Sequence, residues 1–188
     1  MKKKNAGPSN GPEKTNAARL LDRAGIPYRL VPYEVDPDDL SAVHVAATLG
    51  EEPERVFKTL VLTGDRGGDS ARSVKGSTGY FICVIPAAAE VDLKKAARAA
   101  GMKKAEMLPM KELLPLTGYI RGGCTPVGMK KPFPTFFHAS APAFDKIFIS
   151  AGQRGLQLEL SPGDIIGFTG AGTADLIKDF PESADDLL

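Results

Sequence analysis

Cysteine, histidine and long apolar runs are all scarce in this 188-residue chain, and each scarcity closes a class of explanation. Two cysteines, Cys83 in an apolar run and Cys124 in a glycine-rich turn, offer no disulfide framework, and a reducing cytoplasm is the expected location. The two histidines, His44 and His138, stand far apart with no Cys or His at ligand spacing, so no metal and no other cofactor is expected. No apolar run approaches the about 20 residues that span a bilayer, which argues against a membrane partner. The start, "MKKKNAGPSNGPEK", has lysines but no apolar stretch behind them and does not read as a secretory signal. Its Lys, Asn, Gly, Pro and Ser cannot bury a core, so residues 1–14 are expected to be a disordered tail.

What is present suits one soluble domain. Hydrophobic residues make up 43% and charged residues 25%, and the chain is long enough for a sizeable core. The domain is expected over 15–180, with a frayed acidic end at 181–188. Thr15, Ser41, Asp92 and Ser161 are helix N-caps by residue type, and Gly25 and Gly50 are stops. Between them, "YRLVPYEV" reads as extended, with Pro32 marking an edge or a bulge, "VFKTLVLTG", "GYFICVIP", "TFFHA", "KIFISAG" and "LQLEL" read as strands, "AEMLP" as a short strand and "MKELLP" as a short helix. The polar stretch "DRGGDSARSVKGST" reads as a long mobile connection. Six or seven strands and four or five helices, without regular βαβ alternation, predict an α/β fold. Its sheet is expected to be mixed, mostly antiparallel and partly barrel-like, with packed helices.

Four features carry chemistry. In "VFKTLVL", Lys58 shares a strand face with Val56, Leu60 and Leu62. Either its stem snorkels past them to water, or its ammonium meets a bound anion or oxygen, because a lysine buried without a partner is costly. In "RGGCTPVG", Gly122 and Gly123 let backbone N–H groups approach a ligand and Pro126 stiffens the exit; the plain alternative is an ordinary turn. "SAGQRGLQ" repeats the theme, with Gly152 and Gly155 bracketing Arg154. Cys124 is a candidate nucleophile without a recognisable base. Finally, the formal charge of +1 hides an asymmetry: from Lys94 to Lys131 there are nine cations, Lys94, Lys95, Arg98, Lys103, Lys104, Lys111, Arg121, Lys130 and Lys131, against Glu106 and Glu112. That excess suggests a polyanionic partner, nucleic acid being the commonest.

Taken in order, "YEVDP", "VFKTLV", "DLKKAARAAGMKKAEM", "TGYIRGGCTPVGMKKP" and "ISAGQRGLQLEL" resemble the YbaK/EbsC family of aminoacyl-tRNA deacylases, related to the editing domain of bacterial prolyl-tRNA synthetases. The resemblance spans about residues 15–176 and looks nearest to the Cys-tRNA(Pro)/Cys-tRNA(Cys) deacylases. It implies the YbaK/prolyl-tRNA synthetase editing-domain fold and a trans-editing hydrolase that cleaves the aminoacyl ester of mischarged tRNA, with the substrate's own thiol as nucleophile. It puts the family's key lysine at Lys58, facing the 3′-terminal aminoacyl-adenosine, and its G-x-x-x-P loop at Gly122, Gly123, Thr125 and Pro126, holding the ester carbonyl. Tyr33 becomes a pocket wall, and Gly152, Arg154 and Gly155 the second turn. It implies the tRNA acceptor end as partner, with Lys94, Lys95, Arg98, Lys103, Lys104, Lys130 and Lys131 as the tRNA-binding patch, and suggests prolyl-tRNA synthetase as a second partner. The chain departs from some relatives at Ser41 and Ala42, where an aromatic residue occurs, and at Gln157, where an acid occurs. Three alternatives stay open: a module that binds aminoacyl-tRNA or the synthetase without cleavage, a thiol enzyme using Cys124, and a deacylase for another small amino acid such as Ala or Ser.

Overall fold

The computed structural model describes residues 12–65 and 79–179. Most of the expected tail, the polar connection and the acidic end lie outside the described residues; the tail's last residue, Lys14, pairs with Asp22 at 2.7 Å.

Helices begin where a side chain satisfies the free N–H groups of the first turn. Thr15 accepts from the Ala18 N–H and opens α1 (Asn16–Ala24). Ser41 accepts from His44 N–H and opens α2 (Ala42–Leu49). The Asp92 carboxylate takes both the Lys94 and Lys95 N–H groups at 2.8 and 2.9 Å and opens α3 (Leu93–Ala99). Helix α4 (Met110–Thr117) runs two residues beyond Pro115, where the sequence reading stopped it. Ser161 opens α5 (Pro162–Thr169).

The strands are β1 (Tyr28–Pro32), β2 (Phe57–Asp65), β3 (Tyr80–Pro86), β4 (Lys104–Met107), β5 (Thr135–His138), β6 (Ile147–Ser150), β7 (Leu156–Leu160) and β8 (Gly172–Ala174). They form a three-stranded sheet, β1-β7-β6, and a five-stranded sheet, β4-β2-β3-β5-β8. The pairs β1–β7, β6–β7, β2–β3 and β2–β4 are antiparallel, while β3–β5 and β5–β8 are parallel, so the sheet is mixed and mostly antiparallel as expected. An isolated bridge, Val56 to Phe148, joins the two sheets. These pairings leave β1, β4 and β8 as outer strands, and ring closure does not follow from them. The strand that the sequence pattern does not predict is β8, only three residues long and flanking its Thr with Gly and Ala, both depleted in strands.

Strand β3 is apolar throughout because both its faces are covered. Ile82 and Val84, with Phe57 and Val61 of β2, face a core shared with Leu156, Leu158 and Leu160 of the small sheet. Phe81, Cys83 and Ile85, with Leu62, face a second core closed by Ala96, Ala97 and Ala100. Strand β2 is therefore held in a fixed position between two packed layers, and its first half is what the site is built on.

Candidate functional site

Strand β2 has one fully paired edge and one interrupted edge. Along β3 it pairs from Phe57 to Thr63. Along the other edge β4 begins only at Leu62, and β6 reaches only the bridge at Val56. Gly64 N–H bonds toward the β3 side and Val61 C=O accepts from Leu108 on the opposite side, so the odd-numbered residues of β2 address the interrupted edge. There, the Thr59 N–H and C=O have no hydrogen-bond partner among the described residues. The gap is the floor of a cleft of about 1150 Å³ whose walls are the start of α2, the 87–94 segment, the β4–α4 connection and the 121–124 turn.

Lys58 lines this cleft, half-buried, opposite Ile85 in the ladder. Its ammonium neither snorkels freely nor goes unpaired: Nζ donates to the Ala87 carbonyl at 2.9 Å. Two of its three N–H groups remain for a ligand. Burial lowers its pKa from the usual lysine value, and the Glu90 charge works in the opposite direction. Glu90 is itself held by Lys178 at 2.6 Å, and Asp92 is occupied in capping α3, so both acids of the cleft wall already have partners.

The two glycine turns, 30 residues apart, lie against each other. Gly122 has φ +83°, and the Arg154 side chain folds over it to donate from Nε to the Arg121 carbonyl at 2.9 Å. At Gly123 a Cβ would stand 3.1 Å from the Gln153 Cα, so only a glycine lets the two backbones pack this closely. Gly123 N–H bonds the Ile120 carbonyl within the turn and is not available to a ligand. The N–H groups of Gly122 and Cys124 have no such partner among the described residues, and both residues line the cleft.

Of the expected site residues, Lys58, Gly122 and Lys94 line the cleft. Tyr33, Gly123, Thr125, Pro126, Gly152, Arg154 and Gly155 do not. Several of them form the support behind it: Tyr33 N–H bonds the Gly155 carbonyl at 3.0 Å, and Gly152 abuts Tyr119 and Thr125. Thr125 is fully buried. The departures Ser41, Ala42 and Gln157 all line the cleft. Residues the sequence reading passed over are Thr59 and Ser150. With Gln157 they make a polar floor, on which Thr59 Oγ1 and Gln157 Oε1 are buried without a hydrogen-bond partner. A polar residue beside Lys58 on the core-facing side of β2 was the available signal for Thr59.

Cys124 lines the cleft too, 9% exposed, but burial pushes its thiol up to about 12. Neither histidine lines the cleft: His44 lies near Asp36 and Asp39, and His138 accepts the Leu176 N–H through Nδ1. No group of three or more His, Cys, Asp or Glu among the described residues could hold a metal. The arrangement offers a cation, two turn N–H groups and a polar floor. It can orient a ligand and stabilise negative charge on an oxygen.

The cations of 94–131 divide. Lys95 is drawn into ion pairs with Asp175 at 2.8 Å and Asp179 at 2.7 Å. Arg98, Lys103, Lys104 and Lys131 are exposed, and the Lys130 ammonium reaches the Leu114 and Pro115 carbonyls at 3.4 Å.

Comparison with known proteins identifies the family and the fold. A family model described as "Aminoacyl-tRNA editing domain" matches residues 36–168. The chain is 44% identical over 164 residues, 87% of its length and 93% of the relative's, to an Enterococcus faecalis protein named "Putative Cys-tRNA(Pro)/Cys-tRNA(Cys) deacylase EbsC". It is 27% identical to the Bacillus subtilis protein YwhH over 72% of this chain and 79% of that one. The fold is shared with a solved structure described as "a putative trans-editing enzyme for prolyl tRNA synthetase", at TM-score 0.71 and 23% identity over 89% of this chain and all of that one.

Proposed function

The chain belongs to the aminoacyl-tRNA editing domain family, and from that premise we propose that it is a trans-editing deacylase that hydrolyses the ester of mischarged tRNA, with Cys-tRNA(Pro) as substrate. The observation that carries the reading is a cleft with a positioned cation and free turn N–H groups but no activated nucleophile and no base beside Cys124. In such a cleft the substrate can bring its own nucleophile, and cysteine brings a thiol.

In this reading the substrate thiol loses its proton to solvent and its sulfur attacks the ester carbonyl carbon. The S–C bond forms, the C–O bond to the terminal ribose breaks, and the ribose oxygen takes a proton from water. The resulting four-membered thiolactone opens in water to free cysteine. Ring strain keeps the gain from intramolecular attack below the roughly 10⁵ M effective concentration of unstrained cases. The Gly122 and Cys124 N–H groups receive the carbonyl oxygen as it becomes negative, and Lys58, anchored on Ala87, steadies the charge or the terminal nucleotide. Proline and cysteine are close in size, so a prolyl-tRNA synthetase rejects cysteine weakly, by only about 1–3 kcal/mol per methylene-sized difference. Prolyl-tRNA synthetase as a partner that hands over the tRNA belongs to the same proposal.

The test is release of labelled cysteine from Cys-tRNA(Pro) by wild type and Lys58→Ala, with Ala-tRNA(Pro) as control. Release of cysteine alone, lost in the variant, supports the reading. No release from either substrate by the folded protein, with the synthetase present, turns it toward a binding module.

A further inference from the structure

On the deacylase reading, an aminoacyl ester seated beside Lys58 hangs on a single-stranded nucleotide end, whose phosphates and bases must leave over one lip of the cleft. The two lips differ in charge. Around α3 and β4 the charges balance: Lys94, Lys95, Arg98, Lys103, Lys104 and Lys178 stand among Asp65, Glu90, Asp92, Glu106, Asp175 and Asp179, with Lys95 paired to Asp175 and Asp179, Lys178 to Glu90, and Lys104 opposite Asp65 in the β2–β4 ladder. Within residues 110–131, Lys111, Arg121, Lys130 and Lys131 are accompanied by one acid, Glu112, and Arg154 folds onto the Arg121 carbonyl as a fifth cation.

The α4 lip is also unusually apolar. Met107, Met110, Leu114 and Ile120 are 45%, 58%, 51% and 46% exposed, four of the seven large hydrophobics left open among the described residues. Met110 and Leu114 are one helical turn apart and form a stripe. Met107 and Met110 also line the cleft, so the stripe starts inside it and runs outward toward Lys130, whose ammonium rests on the last turn of α4. Unmatched cations beside apolar surface suit a single-stranded nucleic acid, with phosphates on the cations and base faces on the apolar side chains.

We infer that the single-stranded 3′ end of the substrate leaves the cleft over α4 and the 118–131 segment, and that α3, despite its lysines, does not carry it. The experiment measures equilibrium binding of uncharged proline tRNA against salt concentration. It compares wild type, a Lys111→Ala/Lys131→Ala double variant on the α4 side and a Lys95→Ala/Arg98→Ala double variant on the α3 side. Each protein is also assayed on 3′-cysteinyl-adenosine, which is too short to reach either lip.

Two phosphate contacts at about 0.7 each predict that the α4-side variant lowers the log–log salt slope by roughly 1.4, while the α3-side variant leaves it unchanged. Both variants cleave the short ester at the wild-type rate, which also reports that they are folded. Leu114→Ser weakens binding without moving the slope. An unchanged slope in the α4-side variant, or a slope lost in the α3-side variant instead, overturns the inference. So does an α4-side variant that binds tRNA normally but no longer binds prolyl-tRNA synthetase, since the stripe is then a protein-docking face. A wild type that binds tRNA as described but cleaves no ester sinks the deacylase reading and leaves the binding path standing.

Discussion

Lys58→Ala separates a catalytic role from a structural one, because the two roles predict different magnitudes. Structurally the lysine makes one hydrogen bond, 2.9 Å to the Ala87 carbonyl, from a half-buried position. A charged hydrogen bond contributes about 1.5–3 kcal/mol, but removing the ammonium also removes its desolvation cost. Ala87 keeps its own N–H bond to Val56, so the 86–90 turn stays anchored. The two effects oppose each other and the expected net change in stability is about 1 kcal/mol or less, read by urea unfolding. Catalytically, losing a fixed charge aimed at a developing oxyanion costs about 10²–10³ in kcat, or roughly 2.7–4 kcal/mol. Single-turnover cysteine release by Lys58→Ala should therefore fall by two to three orders of magnitude in a protein that unfolds almost like wild type. Lys58→Arg should not restore it, since the guanidinium fork cannot present a point charge beside Ala87 in the same way. If Lys58→Ala keeps turnover within tenfold of wild type, the charge is not aimed at the reacting oxygen and the reasoning fails.

Cys124→Ala should keep cysteine release within a few fold of wild type, because a thiol pushed up to about 12 with no base beside it is not a nucleophile near neutral pH; a folded but inactive variant would restore the thiol-enzyme reading. Gly123→Ala places a Cβ 3.1 Å from the Gln153 backbone and should cost about 1–3 kcal/mol of stability while lowering turnover, because the 121–124 turn must move off the 152–155 turn. On the alkaline side, burial lowers the Lys58 pKa, so the native protein prefers the neutral lysine more than the unfolded chain does. Activity that needs the ammonium is lost as pH rises through a native value below the usual 10.5, and this group's contribution to stability increases over the same window. Glu90→Gln removes the charge that opposes this shift and should move the alkaline limb of kcat/KM to lower pH, measured after subtracting spontaneous ester hydrolysis.

Features decided by nearest neighbours in sequence were legible. Thr15, Ser41, Asp92 and Ser161 cap helices as their residue types predict, because capping needs only a side-chain oxygen and an N–H two or three residues on. Lys58 stood out because a strand face is defined by alternate residues. Charge was different. The segment from Lys94 to Lys131 carries seven unmatched cations by sequence, but Lys95 finds its acids at Asp175 and Asp179, about 80 residues away, brought in by the segment following β8. Local counting cannot see partners delivered by topology, and β8 itself takes its conformation from its parallel pairing with β5.

The site shows the same division at higher stakes. Each glycine turn alone reads as an ordinary loop, and by sequence the bland interpretation is the better one. Their meaning comes from the contact between them: Gly123 against Gln153, and Arg154 over Gly122 onto the Arg121 carbonyl. Within the first turn the Gly123 N–H is taken by the Ile120 carbonyl, while those of Gly122 and Cys124, both cleft-lining residues, have no partner among the described residues. The cleft exists because β4 joins β2 only from Leu62 onward while β6 stops at Val56, a register fact that no residue type announces. Where a strand edge is left open between two packed cores, the Thr59 backbone and the buried oxygens of Thr59 and Gln157 are polar groups without a partner among the described residues. A ligand whose N–H and C=O groups pair with them gains specific contacts there, so a molecule of the same size lacking those groups should bind more weakly.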